Sequence, residues 1–178
     1  MSSKNTFDTW MVLVHDDYYG LYDMAKNTVK YKKSIVFLNL AKTIEPRFQN
    51  VTIDCDRFYE NPDEVNAYTD GKSNIRLCSR IYLDDSITID MMYFIINHEL
   101  GHCYFHHTAD EETPLEVKIQ QEYDADEYGA RLLYRMKMPI SIVFETFEML
   151  RKYELPSINS DHPPIDDRIS KILSLKLE

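Results

Sequence analysis

Residues 88–107 read TIDMMYFIINHELGHCYFHH. Apolar side chains dominate the first half of this stretch, which predicts a helix that packs in the core of the protein. Within that helix, His98 and His102 lie one turn apart and project from the same face. Because an unpaired histidine is costly to bury, this placement predicts a partner that both imidazoles share.

The five residues 98–102 form the H-E-x-x-H pattern of zinc peptidases. Two imidazoles at this spacing can bind one metal ion, and Glu99 beside them can take a proton from an activated water molecule. The pattern arises by chance in about one chain in a hundred of this length. In such a chain the two histidines would simply lie on the helix surface beside a solvated glutamate, with no role in catalysis. The pattern alone is therefore only suggestive of a site for one Zn²⁺ ion per chain, and a third ligand is still to be found.

A second helix is predicted over residues 115–136 and carries Glu-Tyr-Asp-Ala-Asp at 122–126. A catalytic zinc site needs a third protein ligand and an open position, and Glu122 can supply that ligand from a helix antiparallel to the first. Asp126 lies one turn further along the same face, where it can accept the outer N–H of a ligating histidine. A glycine inside a helix, such as Gly129, lowers helix stability by about 1 kcal/mol relative to Ala. A close approach of the two helices at this position would explain why a glycine is present.

The residues after the second histidine do not match the metzincin extension, since Phe105 and Thr108 stand where that pattern needs Gly and His. His106 and His107 follow the predicted helix end, where the negative end of the helix dipole favours histidine, so we expect them to be structural. Cys103 points about 100° away from its ligand neighbour on an ideal helix and is expected to be a core thiol.

The other segments predict an α+β fold, mostly helical, with a small sheet in the first half of the chain. Further helices are predicted over 7–14 and 21–45 and after Pro139 and Pro164, strands over 51–59 and 75–83, and a loop over 61–73. The strand over 75–83 is expected at a sheet edge, where an extended substrate could add a further strand. We see no linker and expect one domain over 1–178.

Composition excludes several classes of protein. The 178 residues carry 30 acidic and 20 basic side chains, a net charge of −10, which argues against a nucleic-acid partner. No window has the length of a membrane span, and no secretory signal is visible. Three cysteines cannot all pair within one chain, so we expect reduced thiols and a cytoplasmic protein.

Three ordered motifs resemble the gluzincin zinc peptidases that include HtpX, the CAAX prenyl proteases and the Oma-type proteases. These motifs are HELGH at 98–102, EYDADEYGARLL at 122–133 and SDHPPIDDRI at 160–169. The resemblance covers about residues 75–175, the expected catalytic core, and leaves 1–70 without an assigned role. It implies a zincin-like catalytic domain in a soluble, minimal form, with Glu122 as the third ligand. Asp161 departs from the Ser or Thr that is usual at its position.

The third motif adds two candidate residues. His162 has two functional interpretations, donation to the oxyanion or a swing onto the metal that blocks the open position, beside a structural one in a helix-cap region. Arg168 can pair with Asp126 or a nearby carboxylate, or be a surface charge of little energetic weight.

The main hypothesis is a zinc-dependent endopeptidase that acts on a protein or peptide, with Glu99 as general base. A weaker resemblance to the ImmA/IrrE-type peptidases implies a site-specific regulatory peptidase of phage or mobile-element origin. The alternative from another class is a catalytically silent binding module with a structural zinc. Structural sites usually close the fourth position, often with Cys, so an intact Glu99 and three ligands favour catalysis. Oligomeric state stays open.

Overall fold

A computed structural model describes residues 21–56, 65–108, 112–152 and 162–176. In these ranges the protein is mostly helical with a small sheet in the first half, which confirms the predicted α+β class. The helix predicted over 7–14 and the position of Asp161 lie outside the described residues. No helix within the described ranges is both long and apolar enough to cross a membrane.

The helices and strands follow one another with short connections. After a helical stretch over 21–27, the elements are α1 (Val29–Ile44), a 3₁₀ helix (Pro46–Asn50), β1 (Thr52–Cys55), β2 (Ala67–Thr69), β3 (Asn74–Leu77), α2 (Ser79–Leu83), α3 (Ile89–Phe105), α4 (Leu115–Arg135), α5 (Ser141–Leu150) and α6 (Ile165–Leu173). Thr28 divides the helix predicted over 21–45, because its hydroxyl caps α1 by accepting from the Tyr31 N–H.

The sheet has the strand order β1–β3–β2, so β3 lies in its middle. β1 runs parallel to β3, whereas β2 runs antiparallel to it, and Leu77 lies opposite both Cys55 and Ala67. The predicted edge strand over 75–83 was therefore wrong in position and in length. The strand ends at Leu77, and α2 then buries Ile81. Leu77 and Ile81 are four positions apart in the sequence. Residues at this spacing share a face in a strand and in a helix, so the alternating pattern did not reveal where the strand ends.

Helix α3 is the centre of the packing. It contacts α1, the sheet, α4 and α5, and every residue from Met92 to Leu100 except Tyr93 is buried. The α4 and α6 helices bury one side each, and α6 buries Ile165 and Ile172 while Leu173 is exposed. The buried apolar side chains form one cluster that joins the sheet to the helices.

Two glycines let α3 and α4 approach closely. A Cβ on Gly101 would stand 2.8 Å from the Cα of Ala125, and a Cβ on Gly129 would stand 3.1 Å from the backbone N of His98. The close approach predicted from Gly129 is confirmed. Because residue 101 lies beside 125 and residue 98 beside 129, the two helices run antiparallel.

We expect Gly101→Ala to lower the free energy of unfolding by about 1–3 kcal/mol, the usual cost of overpacking a tight contact. In an unobstructed helix the same change stabilises by about 1 kcal/mol, so the sign of the effect is diagnostic. Urea denaturation of the metal-free protein measures it. A variant as stable as the wild type, or more stable, would contradict the close contact.

Candidate metal centre

Three side chains from α3 and α4 point at one position between the helices. The Nε2 atoms of His98 and His102 are 3.1 Å apart, and each lies 3.4 Å from an oxygen of Glu122. Ligands held at 2.0–2.1 Å by a tetrahedral zinc ion are about 3.3 Å from one another. The donor atoms thus have the chemistry and the spacing of a site for one small divalent cation.

The antiparallel packing of α3 and α4 explains why these residues meet. His98 and His102 share a face of α3, and Glu122 and Asp126 share a face of α4. With Gly101 against Ala125, Glu122 lies near His102 and Asp126 lies against His98. One turn of α3 separates His98 from His102, and one turn of α4 separates Asp126 from Glu122, so the two pairs of side chains lie opposite each other.

Asp126 hydrogen-bonds the imidazole nitrogen of His98 that faces away from the cation position, and Arg168 pairs with Asp126. The Nδ1–H of His98 donates to Asp126 Oδ1 at 2.8 Å, which leaves Nε2 free to face the cation position. Arg168 donates two hydrogen bonds of 2.7 Å to the same carboxylate, and its guanidinium lies over the ring of Phe147. Arg168 is buried. Burial raises the pKa of Asp126, but Arg168 and His98 outweigh it and hold the pKa below its usual value.

Glu122 is held as a carboxylate by the imidazoles around it. Burial raises its pKa, but hydrogen bonds with His102, His162 and His98 outweigh this and place the pKa well below its usual value. Burial likewise lowers the pKa of His98, but its bonds to Asp126 and Glu122 raise it to about 10. In the absence of a cation, a proton on His98 thus offsets part of the negative charge, and a divalent cation would replace that proton.

Glu99 lies in the same buried region without being one of the three converging donors. Its side chain is 5% exposed, and burial raises its pKa, although the neighbouring imidazoles of His98 and His102 act in the opposite direction. A carboxyl whose pKa is shifted toward neutrality is suited to taking up and releasing a proton.

His162 lies at the rim of the cluster, three residues before α6 begins. Its Nδ1 is 2.8 Å from Glu122 Oε2, and its side chain is about half exposed at 54%. The structure therefore brings His162 to the third candidate ligand, where it contacts both the carboxylate and solvent. The structure thus gathers every candidate site residue named from the sequence around one cluster.

His107, which the sequence led us to expect in a structural role, also contacts this cluster. Its Nδ1 lies 3.1 Å from the Nδ1 of His102, on the ring edge opposite the cation position. His106 ends α3 in a left-handed conformation, with φ of 57°, and so reverses the chain to bring His107 back. Burial lowers the pKa of His107 to about 4, with His102 acting in the same direction. Helical spacing carried no signal for this contact, because it forms after the helix ends.

One of the comparisons with known proteins identifies the family of the chain. The family model described as Peptidase U49 matches residues 23–177. The chain belongs to the peptidase U49 family. The matched range includes the three candidate ligands His98, His102 and Glu122. No curated protein and no solved structure matches the chain.

In this U49 peptidase, we expect Arg168→Met to lower the free energy of unfolding by about 3–5 kcal/mol, because it leaves the buried Asp126 without its counter-charge. Arg151→Met is the matched control. Arg151 pairs with Asp166 and Glu148 on the exposed surface, so its loss should be nearly silent. Chemical denaturation of both metal-free variants measures the difference, and equal effects would show that the buried pair has no special weight.

Proposed function

We propose that this U49 peptidase is a zinc-dependent endopeptidase of the gluzincin type, with His98, His102 and Glu122 as its zinc ligands. The observation that supports this most directly is that the Nε2 atoms of the two histidines are 3.1 Å apart and that each lies 3.4 Å from a carboxylate oxygen of Glu122, His98 from Oε2 and His102 from Oε1. The order of the motifs along the chain supports the gluzincin assignment, since Glu122 comes from a separate helix after the HELGH helix.

When bound by these ligands, zinc would supply a Lewis acid that polarises the substrate carbonyl and lowers the pKa of a water molecule from about 15.7 to about 7. Glu99 would act as general base toward the attacking water, and would then pass that proton to the leaving amine as the C–N bond breaks. The buried position and raised pKa of Glu99 suit this exchange. Asp126 keeps the proton of His98 on Nδ1, and Arg168 keeps Asp126 ionised.

A catalytically silent zinc module is the competing function, and the cysteines argue against it. Structural zinc sites commonly have four protein ligands, often with Cys. The nearest cysteine to the ligands in sequence, Cys103, is buried and contacts Thr69 at 3.2 Å. Glu99 also stands beside the ligands, as catalysis requires.

The substrate in this proposal is a protein or peptide. In the described sheet β2 is an edge strand, and it contacts α3, the helix that carries both histidines. Strand addition, predicted at residues 75–83, is therefore assigned to β2 instead. The three cysteines are all buried thiols, which supports a reducing, cytoplasmic setting, and the continuous core supports one catalytic domain.

We expect Glu99→Gln to keep the zinc but to lower cleavage of an unfolded protein such as casein at least about 100-fold, the usual contribution of a general base. Zinc content by elemental analysis and cleavage by gel assay measure the two effects. Glu116→Gln, an exposed glutamate in the first turn of α4, is the matched control and should behave as the wild type. Equal cleavage by Glu99→Gln and the wild type would contradict the mechanism.

We further propose that His162 donates to the oxyanion. We expect His162→Ala to lower kcat about 10²–10³-fold, as the loss of an oxyanion donor does elsewhere. Zinc content should stay unchanged, because the three ligands remain. Steady-state kinetics on a fluorogenic peptide measures kcat. A variant that cleaves faster than the wild type would overturn this assignment and show that His162 blocks the open position.

A further inference from the structure

The end of α3 brings a second histidine against a proposed zinc ligand. After His106 reverses the chain, the backbone N–H of His107 donates to the carbonyl of His102 at 3.0 Å. The side chain follows, and its Nδ1 comes within 3.1 Å of His102 Nδ1. Both the backbone and the imidazole of His107 therefore contact the same residue.

The protonation of His102 follows from its two neighbours. Its Nε2 faces His98 and Glu122, so this nitrogen must present a lone pair to bind a cation. A neutral imidazole then carries its single proton on Nδ1, and that N–H needs an acceptor. The Nδ1 of His107 is at hydrogen-bond distance and can accept if His107 carries its own proton on Nε2.

We propose that His107 is a positioning residue that accepts the Nδ1–H of His102 and so fixes the tautomer and ring orientation of this zinc ligand. The inference rests on the proposed zinc site. It gives each histidine ligand its own acceptor, Asp126 for His98 and His107 for His102. Outer partners of this kind raise metal affinity because they hold the ligand ready to bind.

The two acceptors add no net charge to the site. Asp126 is negative, but Arg168 pairs with it through two hydrogen bonds. His107 as an acceptor is neutral. With both histidines neutral, Glu122 is then the one negatively charged group among the three proposed ligands, so a bound Zn²⁺ would keep much of its positive charge for polarising the substrate.

His107 is itself held from two sides. Its ring stacks on Phe105 with an interplanar angle of 18°. Its backbone packs against the turn between β2 and β3, where a Cβ on Gly71 would overlap the His107 carbonyl oxygen at 1.8 Å. Gly71 has a φ of 67°, and Asp70 stabilises the turn by accepting the backbone N–H groups of the residues that follow, 72–74. The turn between β2 and β3 thus fixes the position of the His107 backbone.

The test compares zinc affinity in three variants of the full chain, measured by competition with a chromophoric chelator. His107→Leu removes the acceptor and should weaken zinc binding about 10- to 100-fold. His107→Asn places an amide oxygen near the position of Nδ1 and should restore affinity to within about threefold of the wild type. His106→Asn, exposed and tolerated in the left-handed conformation, is the matched control and should match the wild type.

The outcomes separate this inference from the zinc assignment. If the wild type binds no zinc, the proposed function fails. If the wild type binds zinc and His107→Leu binds it as tightly, the positioning role alone is overturned. If His107→Leu does not fold, as judged by thermal unfolding of the metal-free protein, ¹⁵N-histidine NMR of the zinc-loaded wild type decides the question. Protonated Nδ1 on His102 and unprotonated Nδ1 on His107 support the role, and the reverse assignment overturns it.

Discussion

The close approach of α3 and α4 is the constraint on which the rest of the site depends. Gly101 and Gly129 allow the backbones to come within van der Waals contact, and only at that separation can Glu122 reach the two histidines of α3. A cation bound between the helices would in turn join them. The same contact thus contributes to stability and sets the geometry of the ligands.

Charge balance is the second constraint on this region. Glu99, Glu122 and Asp126 are all buried, and burying a carboxylate is costly unless it is paired. Arg168 balances Asp126, and the imidazoles balance Glu122. Glu99 has the least compensation, which is reflected in its raised pKa. The residue proposed to move the proton is thus the one that the surroundings leave easiest to protonate.

Much of the site could be predicted from helical spacing. His98 and His102, and likewise Glu122 and Asp126, are one turn apart, so each pair had to share a face once the helices formed. Arg168 and His162 are close in sequence, and their motif placed them near the same carboxylates. The contact of His107 could not be found this way, because it depends on the left-handed turn at His106 and on the tertiary contact with Gly71. The prediction of a strand over 75–83 was wrong for a related reason. The alternation of apolar and polar residues alone did not reveal that β3 ends at Leu77 and that α2 follows it.

The position of the metal is the central claim, and anomalous diffraction tests it most directly. Crystals of the zinc-loaded protein, measured on both sides of the zinc absorption edge, should show one anomalous peak per chain within about 2.0–2.2 Å of His98 Nε2, His102 Nε2 and a Glu122 oxygen. A peak bound elsewhere, or no peak between α3 and α4 in crystals grown with zinc, would contradict the account.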